Sequence, residues 1–165
     1  MKSVWQAAFA ITTGTAFGAM LLFTCVVAEA AFRTLSPDAA GNLLAAIFPL
    51  YYTLTAILCG IAFLASLPGF GGRPGGWPRA AQAAQGIAAA ALWVSRLWLL
   101  PAMDRIRLAM GTFAHASLPL RREFFTYHGI SMLLNIAAMV LTLFALAVWI
   151  AQMQSRPEWN RRAAG

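Results

Sequence analysis

Four long apolar stretches, separated by short runs of proline, glycine and charge, divide the chain. They fall at about 5–32, 39–67, 80–103 and 123–154, and each approaches or exceeds the roughly 20 residues that cross a bilayer. The last stretch is one-sided. Its segment FFTYHGISMLLNIAAMVLT, from Phe124 to Thr142, wound as a helix at about 100° per residue, gathers Phe124, His128, Ser131, Met132, Asn135, Met139 and Thr142 into an arc of roughly 100°. Ile130, Leu133, Leu134, Ile136, Ala137, Val140 and Leu141 cover the remainder. An imidazole or amide turned toward lipid lacks a partner, so His128, Ser131 and Asn135 predict a stripe that faces the protein interior. The pattern as a whole predicts an all-α integral membrane protein, a four-transmembrane-helix bundle forming a single membrane domain.

The other stretches carry their own marks. Lys2, a following apolar run and Ala28-Glu29-Ala30 resemble a cleavable signal, but the run is much longer than a signal core of about 7–15 residues, so an uncleaved helix is expected. Gly14 and Gly18 form a GxxxG face, continued by Leu21, Cys25, Ala28 and Glu29, that predicts close helix packing. In the second stretch Pro37 and Asp38 suit a helix start, and Pro49 within FPLYY predicts a kink with Tyr51, Tyr52 and Thr53 just beyond it. A small-residue face there runs through Asn42, Ala45, Pro49, Thr53, Ala56 and Gly60. The third stretch offers Ala84, Ala88, Ala91 and Ser95 for close packing, with Gln85, Ala89, Arg96 and Met103 on another face. Arg96 has apolar flanks on both sides. It is expected either to form an intramembrane ion pair with Glu29 or to snorkel along Trp93 and Trp98 to the headgroups. Between stretches lie a Gly/Pro linker at 68–79 and a connection at 104–122, broken by Gly111 and Pro119, that is expected to lie along the interface.

Composition agrees with a bilayer setting. Of the 165 residues 61% are hydrophobic and 10% charged, with a mean hydropathy of +0.69, against about half and about a quarter in soluble domains. The net charge of +7 and a pI near 10.8 could suggest nucleic acid. The distribution argues against it, because the twelve Lys and Arg are scattered through termini and loops rather than interleaved with stacking aromatics on one face. They suit contact with anionic lipid instead. Four crossings would place Lys2, Arg73, Arg79, Arg156, Arg161 and Arg162 on one side and Arg33, Arg105, Arg107, Arg121 and Arg122 on the other. This six-to-five division leans toward both termini in the cytoplasm of a bacterial inner (plasma) membrane.

Candidate chemistry is sparse. With the first helix running outward and the second returning, Cys25 lies near the outer end and Cys59 toward the inner end, too far apart for a disulfide, and both read as packing residues. The linker lacks the GxxxxGK[ST] order of a phosphate loop. No nucleophile, base and oxyanion donor converge, so no catalytic residue is expected. His128 and Met132, one turn apart, with Met139 on the same face, combine imidazole and thioether and so offer ligands for haem or copper.

Several segments, taken in order, resemble a known family. AFGAMLLFTCVVAEAAFRTLSPDAAGNLLAAIFPLYY, LPAMDRIR and FFTYHGISMLLN are similar to the bacterial domain-of-unknown-function family related to eukaryotic transmembrane protein 205, and more distantly to copper-resistance D-type membrane proteins. The Phe-Arg before the first turn, Phe-Pro-x-Tyr-Tyr, the Pro after the third stretch and Phe-x-x-x-His-Gly-x-Ser-x-x-x-Asn carry the resemblance. It implies a four-helix membrane protein and supplies no catalytic residue. The expected role is non-enzymatic, in membrane assembly or in stress or metal tolerance, among membrane lipids and with a homo-oligomeric or other membrane-protein partner. Haem or copper binding on the His128/Met132 face is the alternative, and small-solute transport a further one.

Overall fold

The computed structural model describes residues 2–69 and 76–154. The middle of the Gly/Pro linker, with Arg73, and the tail bearing Arg156, Arg161 and Arg162 lie outside the described residues. Within them are four helices long and apolar enough to cross a membrane and no strand: α1 Ser3–Thr34, α2 Pro37–Pro68, α3 Gly76–Met110 and α4 Leu118–Gln154. At about 1.5 Å per residue, spans of 32 to 37 residues measure about 48 to 55 Å, longer than a hydrocarbon core of about 30 Å. The helices therefore tilt or reach into the headgroup layers.

The ends of the helices follow from local chemistry. Ser36 caps α2, accepting from Ala39 N at its Oγ (3.4 Å) and from Ala40 N at its carbonyl (2.9 Å), and Pro37 occupies the first turn, where no N–H is missed. Likewise Arg121 N donates to the Ser117 carbonyl at 3.1 Å, so Pro119 lies in the first turn of α4 and starts the helix rather than interrupting it. Gly111, with φ of 67°, stops α3. The expected interfacial connection at 104–122 is consequently corrected to the short segment 111–117. Asp104 to Met110 extend α3, and Leu118 to Arg122 open α4.

Each helix packs on two neighbours, in the ring α1–α2–α3–α4–α1, while α1 and α3 lie across a diagonal. The buried residues recur at alternating steps of four and three: Phe9, Thr13, Ala16, Met20 and Phe23 on α1, Ala81, Gln85, Ala88, Leu92, Ser95 and Leu99 on α3, and Ser131, Asn135, Ala138, Thr142 and Ala145 on α4. That rhythm is the seam of helices crossing at a shallow left-handed angle. Alanine fills much of it, so backbones approach closely without glycine, and dispersion holds them where no hydrophobic drive exists between helices in lipid.

The GxxxG face is corrected accordingly. A methyl group placed at Gly14 or Gly18 would meet nothing within 4 Å, and Gly18, Leu21, Cys25 and Glu29 are exposed. On α2, Ala56 is buried as expected, but Asn42 is exposed and Gly60 touches no neighbour that a methyl would meet. Ala84, Ala88 and Ser95 on α3 are buried as expected, whereas Gln85, assigned to another face, sits in the seam with no exposure. Overpacking that seam with Ala88→Leu should cost about 1–3 kcal/mol. Gly18→Leu should be neutral or gain up to about 1 kcal/mol from helix propensity. Thermal unfolding of the two variants in detergent checks both.

Candidate functional site

The polar residues of the interior meet partners across the bundle. Tyr51 of α2 donates its hydroxyl to Asn135 Oδ1 on α4 at 2.6 Å, and Asn135 Nδ2 donates to Thr24 Oγ1 on α1 at 3.0 Å. One amide thereby ties three helices. The Tyr52 and Ser131 hydroxyls lie 2.7 Å apart, and Cys59 Sγ and Thr142 Oγ1 3.7 Å apart, so the α2–α4 diagonal is bridged at three levels. The other diagonal is bridged by Gln85 Nε2, which donates to Thr13 Oγ1 at 3.0 Å, while Gln85 Oε1 is buried with no partner among the described residues. Phe23 stacks on Tyr51, with centroids 4.2 Å apart and planes 23° apart, and keeps the phenol ring upright beneath its hydrogen bond.

Two widened turns put residues where they are needed. At Phe23–Val27 and Ser95–Leu99 the backbone adopts π-helical turns, closed by bonds from Ala28 N to the Phe23 carbonyl and from Leu100 N to the Ser95 carbonyl. The first presents Phe23 and Thr24 to the Tyr51–Asn135 network. The second lies just ahead of Pro101, whose ring would crowd the Leu97 carbonyl of a regular helix and which has no N–H to donate to it. From this turn Arg96 Nε donates to Thr53 Oγ1 at 3.1 Å, and Thr53 Oγ1 donates in turn to the Pro49 carbonyl at 2.7 Å. Pro49 is half-buried inside a continuous α2, and its carbonyl is linked through Thr53 to Arg96 on α3.

The expected Glu29–Arg96 ion pair is corrected. Glu29 Oε1 pairs instead with Arg33 on its own helix, at 2.8 Å and well exposed, and Arg96 turns to Thr53. Each charge is satisfied closer at hand, Glu29 one turn along its own helix and Arg96 on the neighbouring α2. Both cysteines are free, Cys59 buried and Cys25 exposed.

Of the residues expected to ligate haem or copper, only His128 reaches a cavity. Met132 points away, 49% exposed, and Met139 packs half-buried against the apolar core, so the three do not converge. Among the described residues no group of three or more His, Cys, Asp or Glu could hold a metal ion. The cavity occupies the end of the bundle formed by the α1–α2 turn and segment 111–117, and measures about 240 Å³. Its wall is rich in rings: Phe32, Phe48, Phe113, Phe124 and Phe125 line it beside the aliphatic Leu44, Leu100 and Met103, together with the His128 ring, which lies parallel to Phe124 at 7° with centroids 6.0 Å apart. Asp38 Oδ1 accepts from Phe113 N at 2.8 Å and pins the loop across the top. Arg107 borders the cavity but is held by Asn42 Oδ1 at 2.6 Å and by Asp104 Oδ1 at 3.3 Å.

Inspection of the sequence missed Thr13, Thr24 and Gln85 as members of the interior network and Asp38 as the anchor of a loop. The available signal was a polar residue at seam spacing on an otherwise apolar helix. Comparison with known proteins gives one finding: a family model described as Domain of unknown function (DUF4149) matches residues 11–112, which takes in α1 to α3 and leaves out α4. No curated protein and no solved structure matches the chain.

Tyr51→Phe and Asn135→Leu, measured singly and together by thermal or chemical unfolding, should show a coupling of about 0.6 kcal/mol and at most about 1.7. Glu29→Gln and Arg96→Leu should be additive in the same assay, because neither touches the other. A coupling between them would contradict the separate partners, Arg33 and Thr53, that they take.

Proposed function

The chain belongs to the DUF4149 family, and we propose that it is a non-enzymatic, multi-pass protein of the bacterial inner membrane whose interior polar groups fasten the bundle rather than perform chemistry. One observation carries this reading: the Thr24–Asn135–Tyr51 chain and the Tyr52–Ser131 pair engage the stripe's amide and hydroxyls with protein. A catalytic or coordinating stripe would instead keep a donor set aimed at an open space. The role that fits is in membrane assembly or tolerance of stress, exercised through lipids or partner membrane proteins, with both termini in the cytoplasm. The likeness to transmembrane protein 205 belongs to the same proposal. Among the residues that carry it, Phe32, Phe48, Tyr51, Tyr52, Phe124, His128, Ser131 and Asn135 border the cavity or the hydrogen-bonded network next to it.

Haem or copper binding at His128 is the reading to be tested against this one. The purified protein, offered haem and Cu(I) and then washed, should show no Soret band and no stoichiometric copper. A Soret band, or bound copper that disappears in His128→Ala, would overturn the structural reading of the stripe.

A further inference from the structure

We propose that the cavity between the α1–α2 turn and segment 111–117 binds a single-ring, membrane-soluble compound of the quinone or quinol class, packed among phenylalanine rings with one ring oxygen hydrogen-bonded to His128. The size fits one substituted ring. A dry cavity of roughly 150 Å³ lined by Leu, Ile and Phe holds benzene, and this one is about 240 Å³. Flat aromatic walls supply stacked and edge-on contacts, which favour a planar ligand over a saturated chain.

Polarity separates this ligand from the other amphiphiles of a bilayer. Arg107, the group that would attract a phosphate or carboxylate, already bonds Asn42 and Asp104. His128 makes no hydrogen bond to any described residue, and its ring lies parallel to Phe124, so one polar group on the wall is open to a ligand. A neutral imidazole carries one N–H and one bare nitrogen. It can donate to a quinone carbonyl or accept from a quinol hydroxyl, whereas an acyl chain would leave it without a partner.

The entrance fits as well. Phe32 of α1 and Phe125 of α4 line the cavity while 56% and 59% exposed, so the mouth is apolar and opens toward the lipid side of the bundle, where an isoprenoid or alkyl tail would remain. Ala45 lines the inner wall and leaves room that a larger side chain would fill. Binding here does not depend on the fastening role proposed for Asn135 and Ser131, and the haem and copper assay does not report on it.

The test titrates a decyl-substituted benzoquinone into the full chain in lipid nanodiscs, with empty nanodiscs as the partition control and calorimetry as the readout. Saturable binding at one per chain is expected. His128→Phe, which keeps a ring over Phe124 and removes the hydrogen bond, should weaken it about tenfold, and Ala45→Phe should abolish it. Each variant is first shown to unfold at the wild-type temperature. Decanol at the same concentration should not compete. Heat no different from empty nanodiscs, decanol displacing the quinone, or folded variants that bind like wild type would each overturn the proposal.

Discussion

A polar group inside hydrocarbon must find its partner on another helix, because neither water nor lipid can supply one. Asn135 meets that requirement for three helices at once, taking a hydrogen from Tyr51 on α2 and giving one to Thr24 on α1. It lies within about one residue of the centre of α4, as Tyr51 and Tyr52 do in α2, far from the helix ends and so where an unpaired amide would be least tolerated. The rotational setting of α1, α2 and α4 follows from it. The alanine seam then sets how closely they approach.

The two ends of the molecule divide along this plane. Toward the chain termini, Phe9, Ala62, Ala65, Ala81 and Ala145 close the interior with small side chains and the Phe9–Trp149 ring pair. Toward the α1–α2 turn the helices carry rings as well as alanines, the seam opens, and the cavity forms beside Phe113. A loop held by the Asp38 carboxylate and by Arg121, which donates to the Ala114 carbonyl, roofs a space that the helices alone would leave open. The polar network therefore forms a floor between a close-packed half and a half with room in it.

Much of this was legible in the sequence, and the misses share a cause. Four spans followed directly from apolar length, and Ser131, Asn135 and Thr142 from their spacing. The arc drawn on α4 also took in Met132 and Met139, each one position beyond a true seam residue, Ser131 and Ala138. The seam steps by four and three and runs through alanines as well as polar residues, so an arc fitted only to the polar and sulfur-bearing residues is turned toward the lipid. Gly14 and Gly18 misled in the opposite way. Their spacing is right for close approach, but close approach needs a partner, and α1 meets its neighbours through Phe9, Thr13, Ala16 and Met20 instead. Which helices neighbour one another, and hence which partner Arg96 takes, is not written in any one helix.

The π-helical turns give the molecule a second helical phase. Each holds one residue more than an α-helical turn, so every side chain beyond it is rotated by about 100° from where a regular helix would have put it. On α1 the buried steps change across that turn from four-and-three to Phe23, Val27 and Ala31, four and four. Phe32 on α1, and Leu100, Met103 and Arg107 on α3, all lie beyond their turns and all border the cavity. Two of the four helices are thus indexed separately in their two halves. The chain can reset the faces around its cavity without disturbing the register of the packed half.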